Sequence, residues 1–348
     1  MVVGPDGQVI GSVSGGCVEA AVYELSKDAA ATGTPALVRY GVSNRDPYAP
    51  ALTCGGSLEI FASRINTETF PGLDEVAREV DAGRPVAVAT VVEHPNARLV
   101  GRRMIVRPEQ QDSSESPSAV SSASEWGRIA YSVTADARGL LTAGRSECLS
   151  YGAMAERLGK GMRVFVQSFA PPPRMLVFGA IDYAAAVAKM GDFLGYRVTV
   201  CDARPLFATP DRFPGAAEVI VDWPHRYLER QAHAGDLDSR TVVCVLTHDP
   251  KFDVPVLSLA LRLPQLGYVG AMGSRRTHLE RIDRLRAAGL TERELSRLCS
   301  PVGLDLGGRT PEETAVSIAA EIIATRSGGS GARLRDLDQP IHFPVGVR

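Results

Sequence analysis

No run of apolar residues in this chain is long enough to cross a bilayer, and Met1 is followed by Val-Val-Gly-Pro-Asp-Gly, not by a basic segment and an apolar one. The expectation is a protein with no membrane span and no secretory leader, working in the cytoplasm. Neither sign of charge is in excess: Lys and Arg number 38 against 40 Asp and Glu, a formal charge of −2. The broad basic field of a nucleic-acid binder is therefore missing. Cysteine is sparse, six in 348 residues, and no two stand in Cys-x-x-Cys spacing, so a zinc site of the usual kind is not expected. In a reducing compartment these thiols stay available for chemistry.

Two short segments mirror each other: Ser14-Gly15-Gly16-Cys17-Val18-Glu19 and Thr53-Cys54-Gly55-Gly56-Ser57. Each sets a cysteine beside two glycines. Val18, Ala21, Val22 and Leu25 recur at helical spacing, so Cys17 is expected to open a helix, a position at which the dipole favours thiolate over thiol. Cys54 instead precedes Leu58-Glu59-Ile60-Phe61, a strand-like run. Glycine-rich turns leave backbone N–H groups that bind anions well. Either segment alone also reads as a turn beside a buried thiol; together they read as a site for a soft or anionic ligand.

With 348 residues, 45% of them hydrophobic, the chain can build two domains with cores of their own. Residues 108–124 are rich in Ser, Glu, Gln and Ala with almost no large apolar side chains, and are expected to be a flexible insertion. Strands are predicted at 85–92 and 104–106 before it, and the apolar groups at 128–131 and 140–141 imply that the same domain resumes after it. Pro171, Pro172 and Pro173 block helix and sheet alike, which places the boundary there. The division is a first domain over 1–170, a second over 171–330 and a tail over 331–348.

From residue 174 the pattern changes to short apolar strands at 175–178, 197–201, 218–221, 241–246 and 268–272. Helical segments such as 184–194 and 254–263 separate most of them. Apolar strands without alternation, alternating with helices, mean a parallel sheet covered on both faces. The fold class is α/β: a C-terminal, doubly wound, Rossmann-like domain and a smaller N-terminal α+β domain. The last helix is well signalled, with Thr310 as N-cap, Pro311 at the first helical position, a capping-box glutamate, and Ala315, Ile318, Ala319 and Ile322 on one face.

In a doubly wound sheet the ligand crevice lies beyond the carboxyl ends of the strands. Gly179 follows the first strand of the second domain, and Asp202 ends the next, about 20 residues on, where dinucleotide folds place the acid that holds a ribose. The turn Gly179-Ala180-Ile181-Asp182 lacks the later glycines of G-x-G-x-x-G, and Asp182 would repel a pyrophosphate. NAD(P) is thus a possible cofactor of an altered pocket, with Arg204 either answering a 2′-phosphate or merely solvated. Thr247-His248-Asp249 with Asp253 reads either as metal ligands or, preferred, as a helix cap at Asp253 beside a locally bonded His248. Gly273-Ser274-Arg275-Arg276 opens a helix with Leu279, Ile282 and Leu285 expected on one face. Its N–H groups, hydroxyl and guanidinium groups make an anion receptor, or else a surface first turn.

Together these stretches resemble the XdhC/CoxI family, accessory proteins that mature molybdenum hydroxylases such as xanthine dehydrogenase. The resemblance is carried by Gly11-Ser-Val-Ser-Gly-Gly-Cys-Val-Glu19, Cys54-Gly-Gly56, Leu194-Gly-Tyr-Arg-Val-Thr-Val-Cys-Asp-Ala-Arg204, Arg212-Phe-Pro214 and Thr247-His-Asp249. Tyr268-Val-Gly-Ala-Met-Gly-Ser-Arg-Arg-Thr277 and Pro301-Val-Gly-Leu-Asp-Leu-Gly-Gly-Arg-Thr-Pro-Glu312 complete it. It implies a non-catalytic maturation factor that binds the molybdenum cofactor, as molybdopterin or a dinucleotide form. Such a factor holds the cofactor while a cysteine desulfurase supplies sulfur and delivers it to a hydroxylase of the xanthine dehydrogenase type. On that reading Cys17 and Cys54 are the metal ligands, Gly15, Gly16, Gly55 and Gly56 the cradle, and Ser274, Arg275 and Arg276 the phosphate receptors, with Gly179 and Asp202 in a nucleotide pocket. Homodimerisation is a further expectation. Family members normally carry a strand and helix ahead of the position of Met1, so the resemblance also implies a misassigned start or a first domain that has lost a part. The alternatives are a nicotinamide-dependent oxidoreductase, for which no hydride-site constellation is visible, and a docking module whose pockets are relics.

Overall fold

Val86–Glu93 is apolar on both of its faces, and the first half of the chain is organised around it. The computed structural model describes residues 1–41, 57–108, 125–157 and 159–338. The chain divides into two units, Met1–Pro171 and Pro172–Arg348. The expected insertion lies, apart from Pro108, outside the described residues, as do Cys54, Gly55 and Gly56.

In the first unit β1 (Val2–Val3) pairs antiparallel with β2 (Val9–Ile10). Helix α1 (Glu19–Thr32) follows and ends at Gly33, which takes the left-handed conformation that a helix C-terminus favours. Strands β3 (Ala36–Gly41) and β4 (Ser57–Ala62) pair antiparallel, and Val18 and Val22 of the α1 segment bury against Tyr40. Helix α2 (Leu73–Asp81) leads to β5 (Val86–Glu93) and β6 (Arg103–Val106). Helix α3 (Glu125–Thr142), β7 (Glu147–Gly152) and β8 (Gly161–Phe169) complete the unit. The strands β5 to β8 form one antiparallel sheet in the order β6-β5-β8-β7. Ala87, Ala89 and Val91 of β5 face Ile129, Val133, Ala137 and Leu141, a stripe at every fourth residue of α3. Val86 and Val88 point the other way, into a smaller cluster with Phe70 and Val76.

The second unit runs β9 (Arg174–Phe178), α4 (Asp182–Phe193), β10 (Arg197–Asp202), β11 (Glu218–Val221), α5 (Pro224–His233) and β12 (Val242–Val245). It continues with α6 (Pro250–Arg262), β13 (Tyr268–Ala271), α7 (Arg275–Ala287), α8 (Glu292–Leu295), β14 (Leu298–Cys299) and α9 (Pro311–Ser327). All neighbours in the sheet are parallel, in the order β11-β10-β9-β12-β13-β14. Numbered within the unit this is 3-2-1-4-5-6, the arrangement of dinucleotide-binding folds. Met175 and Val177 pack under α4 and α9, while Leu176 and Phe178 face α5 and α6, so both faces of the sheet are covered.

Thr310 caps α9 with Glu313 closing a capping box, and Ala315, Ile318, Ala319 and Ile322 are the buried face. Helix α7 departs from expectation. Leu279 is 64% exposed, and the helix buries Leu285 together with Arg281, one turn earlier. Ile282 and Leu285 pack on the core as expected, and Arg281 joins that face with its guanidinium turned inward to the Asp253 carboxylate. Among the described residues no helix is long and apolar enough to cross a membrane.

Candidate functional site

Strand order reverses between β9 and β12, so the crevice of the second unit opens beyond their carboxyl ends. Gly179 leaves β9 with φ +114°, a conformation that L side chains rarely adopt. A Cβ there would lie 2.8 Å from Thr247 Cγ2 and 3.0 Å from Thr247 N. The glycine thus lets the first turn pass against the segment that follows β12.

The next N–H, that of Ala180, donates to Asp202 Oδ2 at 2.8 Å. Asp202 is 2% exposed and also accepts from Arg204, at Oδ1 from its N–H and Nε and at Oδ2 from Nη2, the three distances between 2.8 and 2.9 Å. Burial pushes the Asp202 carboxyl up, but the Arg204 guanidinium and the two backbone N–H groups outweigh it and hold it below the ordinary value. A carboxylate engaged in this way is not presented to a ribose diol. The NAD(P) expectation built on Gly179 and Asp202 therefore gains no support from the geometry of the pocket.

Arg204 lies over the Phe207 ring at 4.7 Å, and Arg212 approaches the same ring at 5.8 Å. Arg212 also donates to the Ala180 carbonyl and pairs with Asp182 at 3.3 Å. The charge of Asp182, expected to repel a pyrophosphate, is answered within the protein.

At the ends of β12 and β13 the residues of the metal reading have separate tasks. Asp249 is the cap of α6, accepting from the Lys251 N–H at 3.1 Å, where the sequence pattern favours Asp253. Asp253 lies one turn inside the helix, buried, with Oδ2 3.0 Å from Arg281 Nη2 and Oδ1 accepting from the Thr247 hydroxyl. His248 is exposed. Among the described residues no group of three or more His, Cys, Asp or Glu side chains could hold a metal ion.

The expected anion receptor at Ser274, Arg275 and Arg276 is engaged in part by its own helix. Ser274 caps α7, its hydroxyl accepting from the Thr277 N–H at 3.1 Å. Arg276 turns along the helix to Glu280 at 3.0 Å, and Arg275 is exposed.

In the first unit the loop before α1 is built on Gly15 and Gly16, at φ +79° and +122°. These angles aim successive N–H groups at one point, the arrangement that binds anions. That point is occupied by a side chain of the loop's own segment. Glu19 Oε1 accepts from the Ser12 hydroxyl at 2.6 Å and from the N–H groups of Val13, Ser14 and Gly15 at 3.2, 2.8 and 3.0 Å. Oε2 accepts from the Ser14 hydroxyl and from the N–H groups of Gly16 and Val18 at 3.0, 2.8 and 3.2 Å.

The Ser12 hydroxyl first, then the Ser14 N–H, hold the Glu19 carboxyl well below the usual carboxylate range. The N–H groups of Gly15 and Gly16, expected to cradle an external anion, are thus directed at Glu19. Cys17 is exposed, two residues ahead of the first helical residue, and its N–H donates to Ser14 Oγ at 3.2 Å. Sequence reasoning overlooks Glu19 and Arg281 as organising residues. For Glu19 a signal is present: a carboxylate three residues beyond Gly-Gly, at the start of an apolar-periodic run.

Two family models match the chain: "XdhC and CoxI family" over residues 1–41 and 79–152, and "XdhC Rossmann domain" over residues 175–322. A protein of Bacillus subtilis (strain 168), named as a probable subunit of xanthine dehydrogenase, is 26% identical over 323 residues, covering 92% of this chain and 85% of its own length. "Molybdenum cofactor insertion chaperone PaoD" from Escherichia coli (strain K12) is 24% identical over 327 residues, covering 94% of this chain and 77% of its own. Among solved structures, one described as a xanthine dehydrogenase from Bacillus halodurans aligns with a TM-score of 0.63 at 24% identity, over 95% of this chain and 87% of that one. At that identity the likeness bears on fold.

Proposed function

Because the chain belongs to the XdhC and CoxI family, we propose that it takes custody of the molybdenum cofactor and supports its sulfuration and its insertion into a molybdenum hydroxylase of the xanthine dehydrogenase type. The names of two relatives, one a molybdenum cofactor insertion chaperone and one a component of xanthine dehydrogenase, support this maturation role. The observation that carries it is the exposed thiol of Cys17 on a loop fixed by hydrogen bonds at the head of α1. A thiolate is a soft donor suited to molybdenum or to a transferable sulfur, and the donor chemistry therefore fits the cargo.

On this reading Cys17 ligates the metal, with Cys54 as the second thiol. The backbone of Gly15 and Gly16 shapes the loop that presents the thiol. The work is holding and handing over, with a cysteine desulfurase as sulfur source, and needs no hydride chemistry. A reducing compartment such as the cytoplasm keeps the thiols competent.

The test is molybdenum content and oxidised-pterin fluorescence of the purified protein, wild type beside Cys17→Ser and Cys54→Ser. Retention should fall in the variants while the fold, read by thermal melting, is unchanged. Variants that keep the cofactor and activate the hydroxylase normally would overturn the reading.

A further inference from the structure

We propose that Glu19 is a positioning residue for Cys17. By filling the loop over residues 12–18 with the chain's own negative charge, it fixes the thiol's backbone and turns small anions away from it. The biological purpose rests on the reading of Cys17 as a ligand of the cofactor; the geometry belongs to the protein alone.

A carboxylate offers about four lone-pair sites. Two hydroxyls and five backbone N–H groups converge on Glu19, so both oxygens are saturated. Gly15 and Gly16 are required by conformation and not by crowding, since a Cβ at either would meet nothing within 4 Å. Their left-handed angles serve to aim N–H groups at Glu19.

The path from this carboxylate to Cys17 is one hydroxyl long. Ser14 Oγ donates to Glu19 Oε2 at 3.0 Å and accepts from the Cys17 N–H at 3.2 Å and the Val18 N–H at 3.3 Å. On the other side of Cys17, Val18 is buried in the cluster with Val22 and Tyr40. The backbone of Cys17 is therefore held at both ends while its side chain faces out.

The charge has a second effect. The head of a helix and a run of aligned N–H groups attract anions. Glu19, in the first turn of α1, cancels that attraction where Cys17 stands. A neutral or soft partner reaches the thiol, whereas a small anion finds neither a vacant donor nor a favourable field.

The experiment compares alkylation of Cys17 by a neutral reagent, iodoacetamide, and an anionic one, iodoacetate, at one pH. Both rates are read by mass spectrometry on the peptide that carries Cys17. In Glu19→Gln the ratio of iodoacetate to iodoacetamide rates should rise at least about fivefold, the order of effect expected on removing one unit charge from the loop that carries the thiol. Glu19→Asp keeps the charge, so its ratio should stay within about twofold of wild type even if both rates move together.

An unchanged ratio in Glu19→Gln overturns the proposal. So does an equal rise of both rates in the two variants, which would mean only a loosened loop. If Glu19→Gln does not fold, Ser14→Ala serves. It removes the bridge and retains the charge, so both rates should change with the ratio held, and a shifted ratio refutes the proposal. No cofactor is present in these assays, so their failure leaves the cofactor-retention test of Cys17→Ser standing on its own, and the reverse holds.

Discussion

The guanidinium of Arg281 and the carboxylate of Asp253 meet 3.0 Å apart, with their side chains 2% and 5% exposed. Arg281 also donates to the Met272 carbonyl and to Ser300 Oγ, and Asp253 accepts from the Thr247 hydroxyl. One ion pair thus ties α6 to α7 and fastens the ends of β12 and β13 to the segment after β14.

The pair predicts an unusual pH dependence. Burial lifts the Asp253 carboxyl from its ordinary 3.8 to about 6, against the pull of Arg281. Between those two values the folded protein keeps a proton that the unfolded chain has released, so the contribution of Asp253 to stability falls as pH rises through the window and is level above it. Urea midpoints measured from about pH 4 to about pH 7 should show this slope in wild type and lose it in Asp253→Asn. A difference curve that is flat or climbs with pH would refute the assignment. Glu19 has the opposite sign: its depressed carboxyl stabilises above the ordinary 4.5, and that contribution is lost only as pH falls.

Gly179 and Gly195 separate crowding from conformation. Both have φ in the left-handed range, but a Cβ at Gly195 would meet nothing within 4 Å, whereas at Gly179 it would strike Thr247. Gly195→Ala should lower stability by about 1–2 kcal/mol, the cost of the backbone angle. Gly179→Ala should lower it by roughly 2–5 kcal/mol, since overpacking is added to strain. Equal losses in chemical denaturation would show that the β9 turn does not need its close approach to Thr247.

Asp202 is engaged by Arg204 and Ala180, so titration of the wild-type protein with NADPH, followed by nicotinamide fluorescence, should show no saturation. Saturable enhancement would mean that Arg204 releases the carboxylate to a ribose, and the nucleotide reading would return.

What the sequence reveals follows how cleanly each element carries a single pattern. The strands of the second unit are legible because β9, β12 and β13 are buried on both faces and read as unbroken apolar runs. Helix α9 announces itself through Thr310, Pro311 and Glu313. Helix α3 does not, since Ile129, Val133, Ala137 and Leu141 are scattered among Gly, Thr and Arg, with Tyr131 exposed between them. The burial of Arg281 on α7 is hidden because Arg281 counts as a solvent-facing charge until its buried partner on α6, Asp253, is known.

The site is legible as composition and not as geometry. Gly-Gly-Cys marks the loop, and the sequence pattern alone suggests an external anion. Only the backbone angles at Gly15 and Gly16 show that the N–H groups converge on Glu19. At Ser274 the hydroxyl is legible as polar, but its role as a helix cap follows from the start of α7.

The enclosure of Glu19 has a thermodynamic consequence for whatever meets Cys17. A loop that waited for a phosphate would become ordered only when the ligand arrived, and association would carry a conformational-entropy penalty of about 1–2 kcal/mol for each residue fixed. With the anion built into the first turn of α1, that ordering accompanies folding of the helix. The thiol is preorganised, and the strength of an encounter at Cys17 reflects the contacts made there, undiminished by the freezing of the loop.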